Sequence, residues 1–296
     1  MDVNLDIQIE ESLKAYRASG VEDQVDYQKF YLYSIVTHST AIEGSTVTEI
    51  ENQLLFDEGI AAKGRSFTEQ MMNVDLKDAY LHAFRVATEN PTYTPLLLQQ
   101  LSALVMRRTG SEYSTLAGHF DSSKGEFRLC NVSASSYLAY NKVPRAMGDF
   151  CRWLNEEIGK VDKTNTAACY RLSFETHFRL VTIHPWVDGN GRTTRLVMNM
   201  IQRQLGLIPS IVRKEDKVEY IRSLVDIREN EDSTIAQDVM LRHHIANLNR
   251  RVFQYQENDT VNAQYDTVND TLNELKNLFK KSIRLYKTIQ RLHILK

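Results

Sequence analysis

The sequence predicts an all-helical protein that carries one small β-hairpin. Two observations of composition point there. Glycine (12) and proline (5) are both scarce in 296 residues, with no glycine after Gly206 and no proline after Pro209. Long stretches therefore hold no strong helix breaker. The third observation is periodicity: apolar residues recur at helical spacing, and a hairpin-like alternation occurs at one place.

Residues 7–35 read as helix, with apolar positions in IQIEESLKAYR and FYLYSIV, loosened around Val21–Asp26 by a turn near Gly20. The segment HSTAIEGSTVTEIENQLL continues the pattern but breaks at Glu43-Gly44-Ser45. Gly44 suits a helix C-terminus, and Thr46 with Glu49 has capping-box spacing for the next helix. Ser66 and Glu69 repeat that spacing and open a helix to about Thr88. Thr94-Pro95 is an N-cap followed by proline at the first helical position. Residues 117–132, AGHFDSSKGEFRLCNV, alternate weakly around Ser122–Gly125 and read as the hairpin. A helix runs from Pro144 through Trp153, and an apolar-rich one spans 165–182. After a dense loop, helices follow at 193–205, 215–229 and 234–256. The tail, 262–296, keeps an apolar stripe of Leu272, Leu275, Phe279, Ile283, Tyr286 and Ile289. That stripe suits either sealing the core or pairing two chains into a homodimer.

Hydrophobic residues at 42% and charged residues at 25% exclude disorder and collagen-like order. With 36 basic and 38 acidic side chains, the formal charge is −2. No general attraction to nucleic acid or to an anionic membrane follows. Cations crowd residues 276–296, but acids at 257–274 complement them and the helix dipole accommodates them. The acidic N-terminus lacks a signal-peptide pattern, and no run approaches a bilayer-spanning length. Cys130, Cys151 and Cys169 are too few for a disulfide framework or a zinc site. They read as reduced thiols of a cytoplasmic protein.

The segment from His184 to Arg195 carries the chemistry. Gly189 and Gly191 bracket Asn190 directly before a helix. Glycine lets backbone N–H groups approach a ligand, and a helix N-terminus adds unpaired donors and partial positive charge. Arg192 and Arg195 lie three apart, on one side of the first turn. Two cations there oppose the macrodipole, which calls for an external anion of several charges. Asp188 supplies one carboxylate, and Mg²⁺ binds through one or two carboxylates plus phosphates. His184 sits just upstream, and histidine is the side chain whose ordinary pKa lies nearest neutrality. Base, metal ligand and phosphate cradle together suit transfer from a nucleotide to a hydroxyl.

The run HPWVDGNGR resembles the signature of the Fic family, H-x-F-x-[D/E]-G-N-[G/K]-R, with Trp186 at the usual phenylalanine position and Arg195 matching a second arginine that often follows. The likeness covers roughly 90–230 and implies a Fic-type helical core whose hairpin is a flap. It implies that His184 is the general base toward a target hydroxyl and that Asp188 holds Mg²⁺ against the α- and β-phosphates of ATP. Gly189, Asn190 and Gly191 would cradle phosphate, Asn190 also through its side chain. Arg192 and Arg195 would grip the β- and γ-phosphates. Tyr220 would line the adenine side, or equally pack in a helix core. The implied reaction is protein adenylylation, AMP passing to a Ser, Thr or Tyr of a target docked on the 117–132 flap or of the chain itself. Lysine at position 191 is associated with kinase activity in the family, so Gly191 favours nucleotidyl transfer.

Ser39-Thr40-Ala41-Ile42-Glu43-Gly44 resembles the family's inhibitory motif, [S/T]-x-x-x-E-[G/N]. It implies that Glu43 pairs with Arg195 and takes the γ-phosphate position, which leaves ATP unproductive. The expected organisation is an N-terminal helical region at 1–89 with Ser39, Glu43 and Gly44, a Fic core at 90–230, and a helical extension at 231–296. Two other readings stay open: the same scaffold using another nucleotide donor or removing AMP, and a non-enzymatic adaptor using the basic terminal helix. His177 and Cys169 read as packing residues. His243 and His244 point to different faces and make a poor metal pair.

Overall fold

The structure is a computed structural model that describes residues 3–132, 137–230 and 232–257. Helix α1 (Val3–Ala18) and helix α2 (Tyr27–Ile42) are two helices, not one. The loosening near Val21 is a full break, with Gly20 and Asp26 both at positive φ. Helix α3 (Glu49–Asp57) follows, then α4 (Phe67–Ala87) and α5 (Pro95–Val105). The Ser66–Glu69 capping box and the Thr94 cap with its proline form as the sequence indicates. The Thr46–Glu49 box does not form. Thr46 donates its N–H and hydroxyl to Glu69, both at 2.8 Å, and Glu49 accepts from the Ser34 hydroxyl. With both partners diverted, Thr48 and Glu51 make the box instead.

The hairpin lies further toward the N-terminus than expected. Strand β1 (Glu112–Thr115) pairs antiparallel with β2 (Gly118–Asp121), Glu112 opposite Asp121 and Thr115 opposite Gly118. The turn is at Leu116-Ala117. Ser122–Lys124 is a 3₁₀ turn. Gly125, read as the hairpin turn, takes φ 70°, and a Cβ there would stand 1.9 Å from the Gln99 carbonyl oxygen. That glycine serves close packing on α5, not strand reversal.

Helix α6 (Val143–Lys160) runs seven residues beyond Trp153 because its apolar face continues through Leu154. Helix α7 (Thr166–Ile183) is capped by Asn165. Helix α8 (Asn190–Gln204) starts three residues earlier than expected, with Gly189 as its N-cap. Helix α9 (Lys217–Asn230) and helix α10, residues 234–257, complete the described chain.

Helix α8 occupies the centre, with α7, α4, α5 and α2 packed around it. It is buried from Arg192 to Gln202 although its sequence is largely polar. That burial is possible because its polar groups find partners. Asn199 accepts from Tyr80 and donates to the Ser210 carbonyl. Gln202 donates to the hydroxyls of Ser173 and Ser210 and accepts from the Ser210 N–H. The buried apolar cluster runs from Leu5 through Tyr31, Phe174 and Met198 to Leu248, so N-terminal, central and C-terminal helices share one core. The apolar stripe at 262–296 lies outside the described residues, as do Ser133–Ser136. Among the described residues, no helix is long and apolar enough to cross a membrane.

Candidate functional site

The site forms where α7 ends and α8 begins. His184 stops α7 by adopting φ 50° and ψ 60°, an uncommon conformation for a side chain other than glycine. Its carbonyl accepts from Arg128 Nε at 2.8 Å, and its ring stacks on Tyr137 with centroids 3.9 Å apart. Arg128 is buried and also donates to the carbonyls of Cys130 and Leu138. The Arg128 N–H meets the Pro185 carbonyl at 3.1 Å. One guanidinium thus binds the chain after the hairpin to the loop that presents His184.

The 185–190 loop is braced from inside. Trp186 is fully buried, its indole N–H donates to the Gly125 carbonyl at 3.0 Å, and Phe127 packs against it. The ring, larger than the phenylalanine usual at this position, fills the core, and the polar edge it adds finds an acceptor. Asn190 donates to the Trp186 carbonyl at 2.8 Å and accepts from the Trp186 N–H at 3.1 Å. Its side chain is therefore engaged inside the loop, with one amide N–H and the amide oxygen on Trp186. Asp188 stays exposed, and its Oδ1 accepts from the Gly189 N–H at 2.6 Å.

The glycines act through space. Gly189 takes φ 76°, and a Cβ there would stand 2.6 Å from Met106 Sδ. Gly191 lies within α8, yet a Cβ there would sit 2.2 Å from Glu43 Oε1. The absent side chain is what lets that carboxylate reach the first turn of α8.

Both arginines are buried. Arg192 Nη2 donates to Met106 Sδ at 3.3 Å and lies 3.8 Å from Asp188 Oδ1. Its Nε and Nη1 have no hydrogen-bond partner among the described residues. Burial pulls its pKa below the usual guanidinium value. Each unsatisfied buried donor costs about 1–3 kcal/mol, so the arrangement favours an anion arriving beside it.

Arg195 is engaged through all three of its nitrogens. Its Nε donates to Ser39 Oγ and its Nη2 to the Ser39 carbonyl, both at 2.9 Å. Nη2 also meets Glu43 Oε1 at 2.6 Å. Burial acts to lower the Arg195 pKa, but the Glu43 charge carries it above the usual value. For Glu43, burial pushes upward, and the Arg195 charge and hydrogen bond, with Arg192, hold it below the usual carboxylate range. The Ser39–Gly44 string and Arg195 are thus brought together, although Glu43 lies 152 residues from Arg195 in the chain. Gly44, at φ 103°, turns the chain out of α2 directly after Glu43. Tyr220 is buried behind Arg195, with its hydroxyl 3.4 Å from Nη1, rather than at an open face.

Arg128, Tyr137 and Met106 carry no motif of their own, and although Arg128 lies in the 117–132 segment read as the flap, nothing in its neighbourhood signals its bond to the His184 loop. Among the described residues no group of three or more His, Cys, Asp or Glu gathers to hold a metal. Any cation here would need ligands from a bound anion beside the one exposed carboxylate, Asp188.

Residues 92–202 match the Fic/DOC family. Protein adenylyltransferase Fic from Drosophila erecta is 32% identical over 200 residues, covering 64% of this chain and 36% of that protein. The chain therefore spans little more than a third of the length of that curated relative. The crystal structure of a Fic domain containing signaling protein from Bacteroides thetaiotaomicron superposes with a TM-score of 0.65 at 18% identity, over 84% of this chain and 95% of that one. Fic-1 from C. elegans gives a TM-score of 0.65 at 20% identity, over 86% of this chain and 74% of that one. The two structures share this fold.

Proposed function

We propose that this chain, a Fic family member through residues 92–202, transfers AMP from ATP to a Ser, Thr or Tyr hydroxyl of a protein and is restrained by its own Glu43. The observation that carries the reading is the pairing of two buried guanidiniums at one helix N-terminus. Arg192 has nitrogens without acceptors among the described residues, and the anion on Arg195 is a carboxylate from another helix. Such a cradle suits a polyphosphate tail.

In this reading His184 takes the proton of the incoming hydroxyl, and the stacked Tyr137 ring together with Arg128 holds its orientation. The hydroxyl oxygen bonds to the α-phosphorus while the bond to the bridging oxygen of the β-phosphate breaks, and pyrophosphate leaves. Arg192 and Arg195 hold the charge that develops on that leaving group. Mg²⁺ fits the donor set, with Asp188 offering its exposed carboxylate and phosphate oxygens the remaining ligands, and when bound it neutralises phosphate charge. Glu43 fills space against Gly191 and Arg195 that a terminal phosphate needs.

The outer edge of β1 faces no strand among the described residues, which supports docking of an extended target segment by strand addition. The chain's own hydroxyls are candidate acceptors in the same way. The free thiols of Cys130, Cys151 and Cys169 support a cytoplasmic setting. A homodimer through the tail belongs to residues outside those described.

The test is label transfer from α-labelled ATP with Mg²⁺, using wild type, Glu43→Gly and His184→Ala with a lysate as acceptor. The reading expects protein-bound AMP with Glu43→Gly, little with wild type and none with His184→Ala. Label from γ-labelled ATP in place of α-labelled ATP would make the protein a kinase and overturn the proposal.

A further inference from the structure

Arg195 is aimed from two sides, and one of them involves neither the signature nor the inhibitory segment. On the first side, Ser39 of α2 engages Nε and one N–H of Nη2. On the second, the Tyr220 hydroxyl stands 3.4 Å from Nη1, and the Tyr220 ring lies beneath the guanidinium at 6.0 Å. That hydroxyl is also 2.8 Å from His177 Nε2. Tyr220 belongs to α9 and His177 to α7, so the two join three helices around one guanidinium. His177 is wholly enclosed, and Tyr220 nearly so.

The donor and acceptor inventory sets the first bond of this chain, and the His177 tautomer sets the second. Arginine has only donors, so the Tyr220 oxygen accepts from Nη1. Its single proton is then free to point at His177, provided that imidazole is neutral and Nε2 offers its lone pair. Burial keeps the ring neutral, holding the His177 pKa down at about 3, and Nε2 accepts in the tautomer that carries its proton on Nδ1. Burial likewise raises the Tyr220 pKa and keeps its proton in place. With Glu43 set aside, Nη2 keeps one N–H on Ser39 and Nη1 keeps one on Tyr220. Each nitrogen then has one N–H left, on adjacent prongs of a planar fork. That is the bidentate geometry a phosphate accepts.

We propose that His177 and Tyr220 are positioning residues that hold the Nη1 prong of Arg195 toward the nucleotide's phosphate tail. The inference rests on the adenylylation reading for the identity of the anion. It gives Tyr220 a role behind Arg195 in place of one beside adenine. It also separates His177 from a mere packing residue, because a packed ring needs no acceptor at Nε2.

The test uses the full chain with Glu43→Gly as parent, which frees the phosphate position. Tyr220→Phe and His177→Phe are each added, along with His177→Gln, whose amide oxygen can still accept from the tyrosine. Dissociation constants for ATP and for AMP are measured by calorimetry with Mg²⁺, and KM and kcat by label transfer. Thermal melts confirm folding. Losing one hydrogen bond to a charged group weakens ATP binding about tenfold. AMP, which has no β- or γ-phosphate, should bind each variant as it binds the parent. His177→Gln should restore most of the ATP affinity that His177→Phe loses. Equal loss for ATP and AMP would assign the pair a structural role only and overturn the proposal, as would unchanged binding of both. The adenylylation reading fails separately, if the parent binds ATP but transfers no AMP.

Discussion

Replacing Glu43 by glycine isolates the contact on which regulation is proposed to depend. The pair joins Arg195 Nη2 to Glu43 Oε1 at 2.6 Å, with the arginine side chain 3% exposed and the glutamate 34%. Removing one member of a fully buried pair costs about 3–5 kcal/mol, and an exposed pair is worth only about 0.2–1 kcal/mol. This pair lies between, and Arg195 keeps its bonds to Ser39 and Tyr220. A bias of about 2 kcal/mol follows, equal to roughly a 30-fold change in the balance between carboxylate and phosphate on that guanidinium. The initial rate of AMP transfer from α-labelled ATP should therefore rise about 30-fold in Glu43→Gly, measured at saturating target and matched Mg²⁺. Melting temperature should fall by a few degrees, about 2–4 °C for each kcal/mol that the lost contact contributes to the fold. Equal transfer rates for the two proteins, with ATP bound equally by both, would refute the reasoning.

The remaining expectations concern neighbouring residues. His184→Ala should reduce transfer by about 10²–10⁴-fold while calorimetry still detects ATP binding, because only the proton acceptor is removed. Gly191→Ala places a methyl 2.2 Å from where Glu43 Oε1 now sits and 3.0 Å from Arg195 Nη1, in the space this reading gives to a terminal phosphate, so it should lower ATP binding and transfer several-fold although it also displaces Glu43. It should lower them in a Glu43→Gly background as well, and label-transfer rates of the four proteins decide this. His244 is fully enclosed, both its ring nitrogens lack hydrogen-bond partners among the described residues, and burial holds its pKa down at about 3. The unfolded chain takes up that proton at the ordinary histidine value and the folded chain does not. Stability is therefore lost as pH falls from there toward 3. His244→Phe should flatten the decline in melting temperature between about pH 7 and pH 4, leaving the part owed to His177.

The helices were legible because their signals are local. Ser66 with Glu69 and Thr94 with Pro95 state a helix start within four residues, and the structure follows them. The Thr46–Glu49 box failed because the competing partners, Glu69 and Ser34, arrive from elsewhere in the chain. Gly125 misled for a similar reason: its positive φ is real, but the cause is the backbone of α5, which no window around residue 125 contains. At the site, His184, Asp188 and the glycines could be read as one contiguous string. The contact of Glu43 with Arg195 joins positions 152 residues apart and was reached through resemblance to a motif, not through spacing. Arg128 had no such string. Its importance comes from three carbonyls that fold around it, and carbonyls leave no mark in a sequence.

The way α2 is held limits how the restraint on Arg195 can be lifted. Most of α2 is buried. Its Thr40 hydroxyl lies 2.7 Å from Asn73, and Asn52 of α3 donates to both Thr37 and Asn73, with both asparagines fully enclosed. Tyr31 donates to the Pro209 carbonyl at 2.6 Å. Undocking this helix would expose several tyrosine and aliphatic side chains at about 1.5–3 kcal/mol each and would strand the asparagine network. The sum approaches or exceeds the 5–15 kcal/mol that holds a typical domain together. Release by departure of α2 would thus amount to unfolding. The inexpensive motion is at its last turn, where Glu43 is the C-cap, its side chain is one-third exposed, and Gly44 at φ 103° already directs the chain away. A rotamer change there clears Gly191 and Arg195 and leaves Ser39 in place. The segment that restrains the site in this reading therefore also supplies, through Ser39, part of the support that Arg195 needs once phosphate is bound.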